Sequence, residues 1–181
     1  MRTHFALLLA TLSLLAPRSP AVAGALVGVD ALTSTVLQEG QSSFSGVGVR
    51  ARLHPERLIR EIEIMPTIEY WRATSTIEPF GIRSMRKDAT LGVDARYVFP
   101  LQGWQPYVGA GYAVHFLATR VNAPSLGLVE ASDTVTLGSL AALGGIKVPL
   151  AGRVENFLEL KYHFVAGHRQ FKINWGLSYN L

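Results

Sequence analysis

The last eleven residues, Phe171-Lys-Ile-Asn-Trp-Gly-Leu-Ser-Tyr-Asn-Leu181, decide the class of this protein. The odd positions are Phe171, Ile173, Trp175, Leu177, Tyr179 and Leu181; the even ones are Lys172, Asn174, Gly176, Ser178 and Asn180. A β-strand sends successive side chains to opposite faces, so an unbroken period of two describes a strand with one apolar and one polar face. Residues 89–99 repeat the pattern, with Ala89, Leu91, Val93, Ala95, Tyr97 and Phe99 opposed to Thr90, Gly92, Asp94, Arg96 and Val98.

Six further stretches extend the reading to eight strands. In 154–164, Val154, Leu158, Leu160, Tyr162 and Phe164 oppose Glu155, Glu159, Lys161 and His163. Val108, Ala110, Tyr112, Val114, Phe116 and Ala118 line one face of another strand. Residues 45–53 set Val47, Val49, Ala51 and Leu53 against Gly46, Gly48, Arg50 and Arg52. Residues 59–70 set Ile62, Ile64, Ile68 and Tyr70 against Glu61, Glu63, Thr67 and Glu69. Pro66 falls inside the latter, and its missing N–H predicts a bulge. Residues 25–33 alternate briefly, with Gly28 and Asp30 on the polar side, and 134–148 are apolar on both faces in parts, which leaves their register open. No stretch has the period of an amphipathic helix. Short links (54–58, 100–105, 149–152) alternate with longer ones (34–43, 73–86, 120–133), and the last, 166–170, is short. An up-and-down meander places the tight turns at one end and the longer loops at the other, as transmembrane barrels do.

Composition agrees. The chain has 181 residues, 49% hydrophobic and only 17% charged, with no Cys. Disorder and disulfide or thiolate-metal frameworks are excluded. Met1-Arg2-Thr3-His4, the apolar stretch 5–16, Pro17 and Ala21-Val22-Ala23 read as a secretory signal peptide over 1–23, leaving 24–181 as one domain. The leader holds two basic side chains (Arg2, Arg18) and no acidic one, so the remainder carries 15 basic against 13 acidic groups. That balance, with export, argues against a nucleic-acid partner.

The segments Gln105-Pro-Tyr-Val-Gly-Ala-Gly-Tyr112, Glu159-Leu-Lys-Tyr-His-Phe164 and Phe171 to Tyr179 resemble the small outer-membrane β-barrel domain proteins of Gram-negative bacteria, the OmpA/OmpX-like eight-stranded barrels. That family usually ends in an aromatic residue, whereas this chain ends in Leu181, with Tyr179 on the same face. The resemblance implies an all-β, eight-stranded antiparallel up-and-down transmembrane barrel in the bacterial outer membrane. It further implies insertion by the barrel-insertion machinery and contact with outer-membrane lipid and lipopolysaccharide; the chain is expected to be a monomer. Alternation alone does not say which face points outward. A soluble lipocalin-like carrier would turn the apolar face inward around a ligand. Glycines on the polar face (Gly46, Gly48, Gly92, Gly109, Gly111, Gly176) suit a crowded lumen. Aromatics sort to two rims, Tyr70, Phe116 and Phe164 at the outer and Tyr97, Phe99, Trp104 and Tyr107 at the inner, as in a lipid-embedded band.

In so narrow a barrel the polar face must fill the interior. The expected lumen network comprises Arg50, Arg52, Glu61, Glu63, Glu69, Asp94, Arg96, Glu159, Lys161, His163 and Lys172, with Arg50 and Arg52 beside Glu61 and Glu63. Buried charges persist when paired and hydrogen-bonded, so a closed plug is expected. Arg83, Arg86 and Lys87 are assigned to the external loops, and Arg72, Arg120 and Arg169 to the rim beside them. They are candidates for a belt on lipopolysaccharide phosphates, which Arg can bind bidentately. Tyr162-His163-Phe164-Val165 is similar to the His-aromatic-Ser-Asn segment of outer-membrane lipid A deacylases, but Val165 occupies the serine position. Ser178 lies far along the next strand, and His115 and His168 add nothing by spacing. No metal-ligand spacing and no phosphate loop is present, so neither metal nor cofactor is expected. The expected role is structural or surface-interacting and non-enzymatic. The alternatives are the lipocalin-like carrier and a lipid-modifying enzyme related to the deacylases.

Overall fold

Strand-forming alternation becomes eight antiparallel strands: β1 (Leu26–Gln38), β2 (Phe44–Leu53), β3 (Ile62–Ile77), β4 (Ile82–Val98), β5 (Gln105–Ala123), β6 (Leu128–Ala151), β7 (Val154–Val165) and β8 (Gln170–Asn180). They close in chain order into a barrel, β8 pairing with β1. The computed structural model describes residues 26–38, 43–55, 58–77, 82–123, 128–165 and 169–181; residues 1–23, expected as a signal peptide, and His168 lie outside them.

The register can be followed round the barrel. From Asp30 the pairs run through Arg50, Thr67, Gly92, Ala113 and Ser139 to Val165 on β7. In the other direction Asp30 leads through Ser178 to Glu155, also on β7 and ten residues away. That stagger tilts the strands by about 40° to the axis and leaves an interior only as wide as its own side chains. Neither β1 nor β8 is an open edge, which removes the aggregation hazard of an unpaired strand.

The faces sort oppositely to those of a water-soluble barrel. Outward residues are apolar and open: Val47, Ile68, Val108 and Trp175 are 58, 57, 54 and 55% exposed. Inward residues are polar and closed, with Glu159, Lys172 and Asn174 at 0%. The two apolar clusters of buried residues are small, Val36, Phe44 and Trp71 near one end and Val98, Tyr107 and Leu143 near the other. A lipocalin-like arrangement needs the apolar face inside, and here it is outside.

Three expectations change in detail. The links read as 73–86 and 120–133 are mostly strand. The pairing Thr74↔Met85, Ser75↔Ser84, Thr76↔Arg83 and Ile77↔Ile82 carries the β3–β4 hairpin on, and β5–β6 continues to Ala123↔Leu128. Beyond the apolar band both faces mix polar and apolar side chains, so the period disappears from the sequence while the backbone ladder continues. The result is a wall of β3–β6 rising above Gly46↔Trp71 on one side and Ser139↔Val165 on the other. Pro66 makes no bulge. Its missing donor interrupts the β2–β3 ladder between Arg50↔Thr67 and Leu53↔Ile64, yet the numbering stays in phase across the gap. Tyr107, expected in the inner aromatic rim, points inward and is 1% exposed.

Glycine sets two local geometries. Ala151 pairs with Val154 across the two-residue link Gly152-Arg153, and of these two Gly152 takes a left-handed φ of 55°, as a type II′ hairpin turn requires. Within the barrel, a Cβ at Gly176 would collide with the Phe157 ring, and one at Gly111 with the Asp94 carboxylate. These positions are empty so that neighbouring large side chains can occupy the lumen.

Candidate functional site

The chemically dense part of the molecule is the lumen, which is layered along the axis. Toward the end carrying the C-terminus (the near end), Arg52 is 2.9 Å from Asp30 and bonds Asn180 Oδ1 at 2.6 Å. Glu63 is gripped by Arg96 through Nε at 2.7 Å and Nη2 at 2.6 Å, and by Lys147 at 3.3 Å. Arg52 and Lys147 also approach Glu155, each at 3.9 Å. The Arg96 guanidinium stacks on Tyr107 at 4.5 Å.

Glu159 is the hub of the middle layer. Arg50 donates to its two oxygens at 2.9 and 2.6 Å, Asn174 at 2.8 Å and the Tyr107 hydroxyl at 3.2 Å. Lys161 binds Asp94 at 2.7 Å, and Lys172 binds Glu69 at 2.6 Å. Bidentate Arg–carboxylate geometry is the strong form of such a pair, and burial makes its completeness matter.

A third layer lies nearer the far end, the end with the longer hairpins. Asp88 Oδ2 is 2.7 Å from His115 Nδ1, and Thr90 Oγ1 is 3.1 Å from the same nitrogen. His115 Nε2 is 2.9 Å from Ser139 Oγ, which lies 3.1 Å from His163 Nδ1. Among the described residues, Asp88 is the one lumen carboxylate with a histidine instead of a lysine or arginine as its ion-pair partner. The order acid, imidazole, hydroxyl is that of a serine hydrolase. Its surroundings differ. Ser139 is 2% exposed. Its backbone pairs on both sides, with Ala113 and Val165, so the N–H groups there run along the sheet and none forms an oxyanion hole facing the lumen. Val36, Phe44 and Trp71, with Ala73 and Leu117 against them, close the lumen above this layer. Phe44 and Trp71 pack ring on ring at 4.3 Å. Above them the wall encloses a cavity of about 160 Å³ between Trp71, Leu117 and Leu137 and the rim residues Arg86 and Asp133.

Of the eleven lumen residues expected from sequence, ten stand at inward strand positions and one, Glu61, lies just ahead of its strand. Glu61 stands in the turn ahead of β3; its carbonyl accepts from the Val98 N–H, and its carboxylate has no ion pair among the described residues. β3 begins at Ile62, so position 61 falls one step outside the barrel. The partners also differ from neighbouring-strand logic. Arg52 does approach Glu63, at 3.8 Å, but Arg50 reaches across the lumen to Glu159 on β7. In so narrow a barrel a long side chain spans to the opposite wall as easily as to the next strand.

Sequence reasoning missed Asp88, Thr90, His115, Ser139 and Lys147. His115 was legible, because the odd positions of β5 oppose the apolar even ones. Ser139 and Lys147 lie on β6, where both faces are partly apolar and no register could be chosen. Ser178 donates to Asp30 at 2.8 Å, away from His163.

The six rim cations do not form a belt. Arg72, Lys87, Arg83 and Arg120 occupy outward positions of β3, β4 and β5. Arg86 turns inward to the cavity, and Arg169 lies exposed immediately before β8. Among the described residues no group of His, Cys, Asp and Glu has the arrangement of a metal site.

No protein-family model and no curated protein sequence matches this chain. Solved structures do. Neisserial surface protein A superposes with a TM-score of 0.61 at 17% identity, over 87% of this chain and 97% of that one. Ail, the attachment invasion locus protein of Yersinia pestis, solved in complex with the heparin analogue sucrose octasulfate, gives 0.59 at 11% identity over 87% and 97%. A major outer membrane protein of Thermus thermophilus gives 0.54 at 13% over 86% and 99%. The chain has the fold of the small eight-stranded outer-membrane barrels.

Proposed function

We propose that this protein is a structural or surface-interacting barrel of the bacterial outer membrane, its near end periplasmic, its far end external and its lumen plugged. The observation that carries the reading is the inverted polarity. Outward apolar side chains are half-exposed round the whole barrel, while six cations (Arg50, Arg52, Arg96, Lys147, Lys161, Lys172) are sealed inside with carboxylate partners. Water would penalise that exterior, whereas a bilayer requires it. Folded barrel should run differently on SDS gels before and after boiling, because a closed ladder resists cold detergent, and it should stay with membranes at high pH. Identical migration in both lanes, together with full solubility in plain buffer, would overturn the membrane reading.

The same lumen supports a non-enzymatic role. A fluorophosphonate probe, which labels activated serines, should leave Ser139 unmodified in folded barrel. Labelling that is lost in both Ser139→Ala and His115→Asn would instead favour the lipid-modifying alternative, through a hydroxyl on β6 that the deacylase-like segment does not contain.

A further inference from the structure

Outward positions of β3 and β4 are lipid-type residues as far as Tyr70 and Ala89, and on β5 as far as Phe116; these three lie in one register row. Tyr70 and Phe116 are both more than 40% exposed, forming an aromatic row at that height. In the next outward row Arg72 stands directly opposite Lys87. Arg120 follows one row higher, opposite Met85, and Arg83 one higher still, opposite Thr76 and Asn122. Among the described residues, the remaining outward positions of this face are Thr, Met, Ala and Asn, with no carboxylate. Arg72, Lys87 and Arg83 have no ion pair among the described residues.

Two like charges directly opposite across a ladder are unfavourable unless an anion sits between them. Neighbouring strands lie about 4.8 Å apart, so one phosphate can contact both side chains. Arg72 is two residues beyond Tyr70, about 7 Å along the strand and roughly 5 Å along the tilted barrel axis. That is the step from an aromatic girdle to the headgroup phosphates of a bilayer. On the opposite wall, among the described residues, the rim positions of β1 and β8 are apolar, with Leu37 opposite Phe171.

We propose that this face of β3–β5 is a binding site for a phosphate-bearing lipid headgroup of the outer leaflet, with Arg72 and Lys87 sharing one phosphate and Arg83 standing two rows above them. The proposal rests on the membrane reading above. It replaces a diffuse belt by a one-sided site and leaves Arg169 out of it.

The test uses barrel refolded into phosphatidylcholine nanodiscs doped with labelled lipid A, in its bisphosphorylated and enzymatically dephosphorylated forms. Enrichment beside the barrel is read by energy transfer. Bisphosphorylated lipid A should be enriched about tenfold over the dephosphorylated form. Arg72→Gln/Lys87→Gln should abolish most of that preference, and Arg169→Gln should retain it. Equal enrichment of the two lipids, or an unchanged preference in the double variant, overturns the site. Free tripolyphosphate or a sulfated polysaccharide that displaces the lipid at micromolar concentration would reassign the face to a soluble polyanion and overturn the lipid assignment. Barrel that inserts, as judged by its gel shift, but shows no preference loses this site alone; barrel that fails to insert takes the membrane reading with it.

Discussion

Glu159→Ala is expected to destabilise the barrel by about 3–5 kcal/mol, because it strands Arg50 in a sealed lumen without its counter-charge. Glu159 receives two bonds from Arg50 and one each from Asn174 and Tyr107, so a single truncation leaves four donor groups on three residues unmet. The remaining acid near Arg50, Glu69 at 3.9 Å, is already engaged by Lys172 at 2.6 Å. The Arg50→Met/Glu159→Leu double variant should regain most of the loss, since replacing both members of a buried pair by apolar groups of similar size is far less costly than removing one. Urea unfolding in lipid vesicles, followed by the gel shift, gives both values and their coupling. A single variant within about 1 kcal/mol of wild type would mean that the middle layer is wet and the lumen is not plugged there.

Trp175 offers an equally large spectroscopic effect. It is 55% exposed on the outward face at mid-strand, between Thr33 on β1 and Leu158 on β7, with its Nε1 donating to Asn156 at 3.1 Å. Trp71 is buried against Phe44, and Trp104 lies in the near-end turn between β4 and β5. In a Trp71→Phe/Trp104→Phe variant refolded into bilayers, the one emitter should face acyl chains. Its emission should be blue-shifted and strongly quenched by lipids brominated deep in the chain, with little effect from aqueous iodide. Folded protein whose Trp175 ignores the brominated lipid would show that the apolar face does not meet hydrocarbon.

Much of this architecture is legible because a strand between two unlike media must alternate. Lys172, Asn174, Gly176 and Ser178 could be assigned to one face from sequence, and the structure puts all four in the interior. Where the two media become alike, legibility ends. Thr74 to Ile77 and Ile82 to Arg86 mix polar and apolar residues on both faces, so their pairing left no period to read. β6 shows the other failure: Gly138, Ala141, Ala142, Gly144 and Gly145 are small on both faces, which hides Ser139 and Lys147 among them.

Strand number, antiparallel order and membership of the polar face were all readable along the chain, because each follows from a local period of two and from turn spacing. The choice of partners was not, and it exists only in the closed barrel. Closure with a stagger of ten residues brings β2 opposite β7, so Arg50 meets Glu159 in place of an acid on β3. The registers of the successive hairpins from β3 to β7 align Asp88, His115, Ser139 and His163 from four strands into one relay, and Arg72 with Lys87 into one outward pair. Local sequence sets the face on which a side chain stands; its height relative to residues on other strands is a property of the closed ladder, to which every strand contributes.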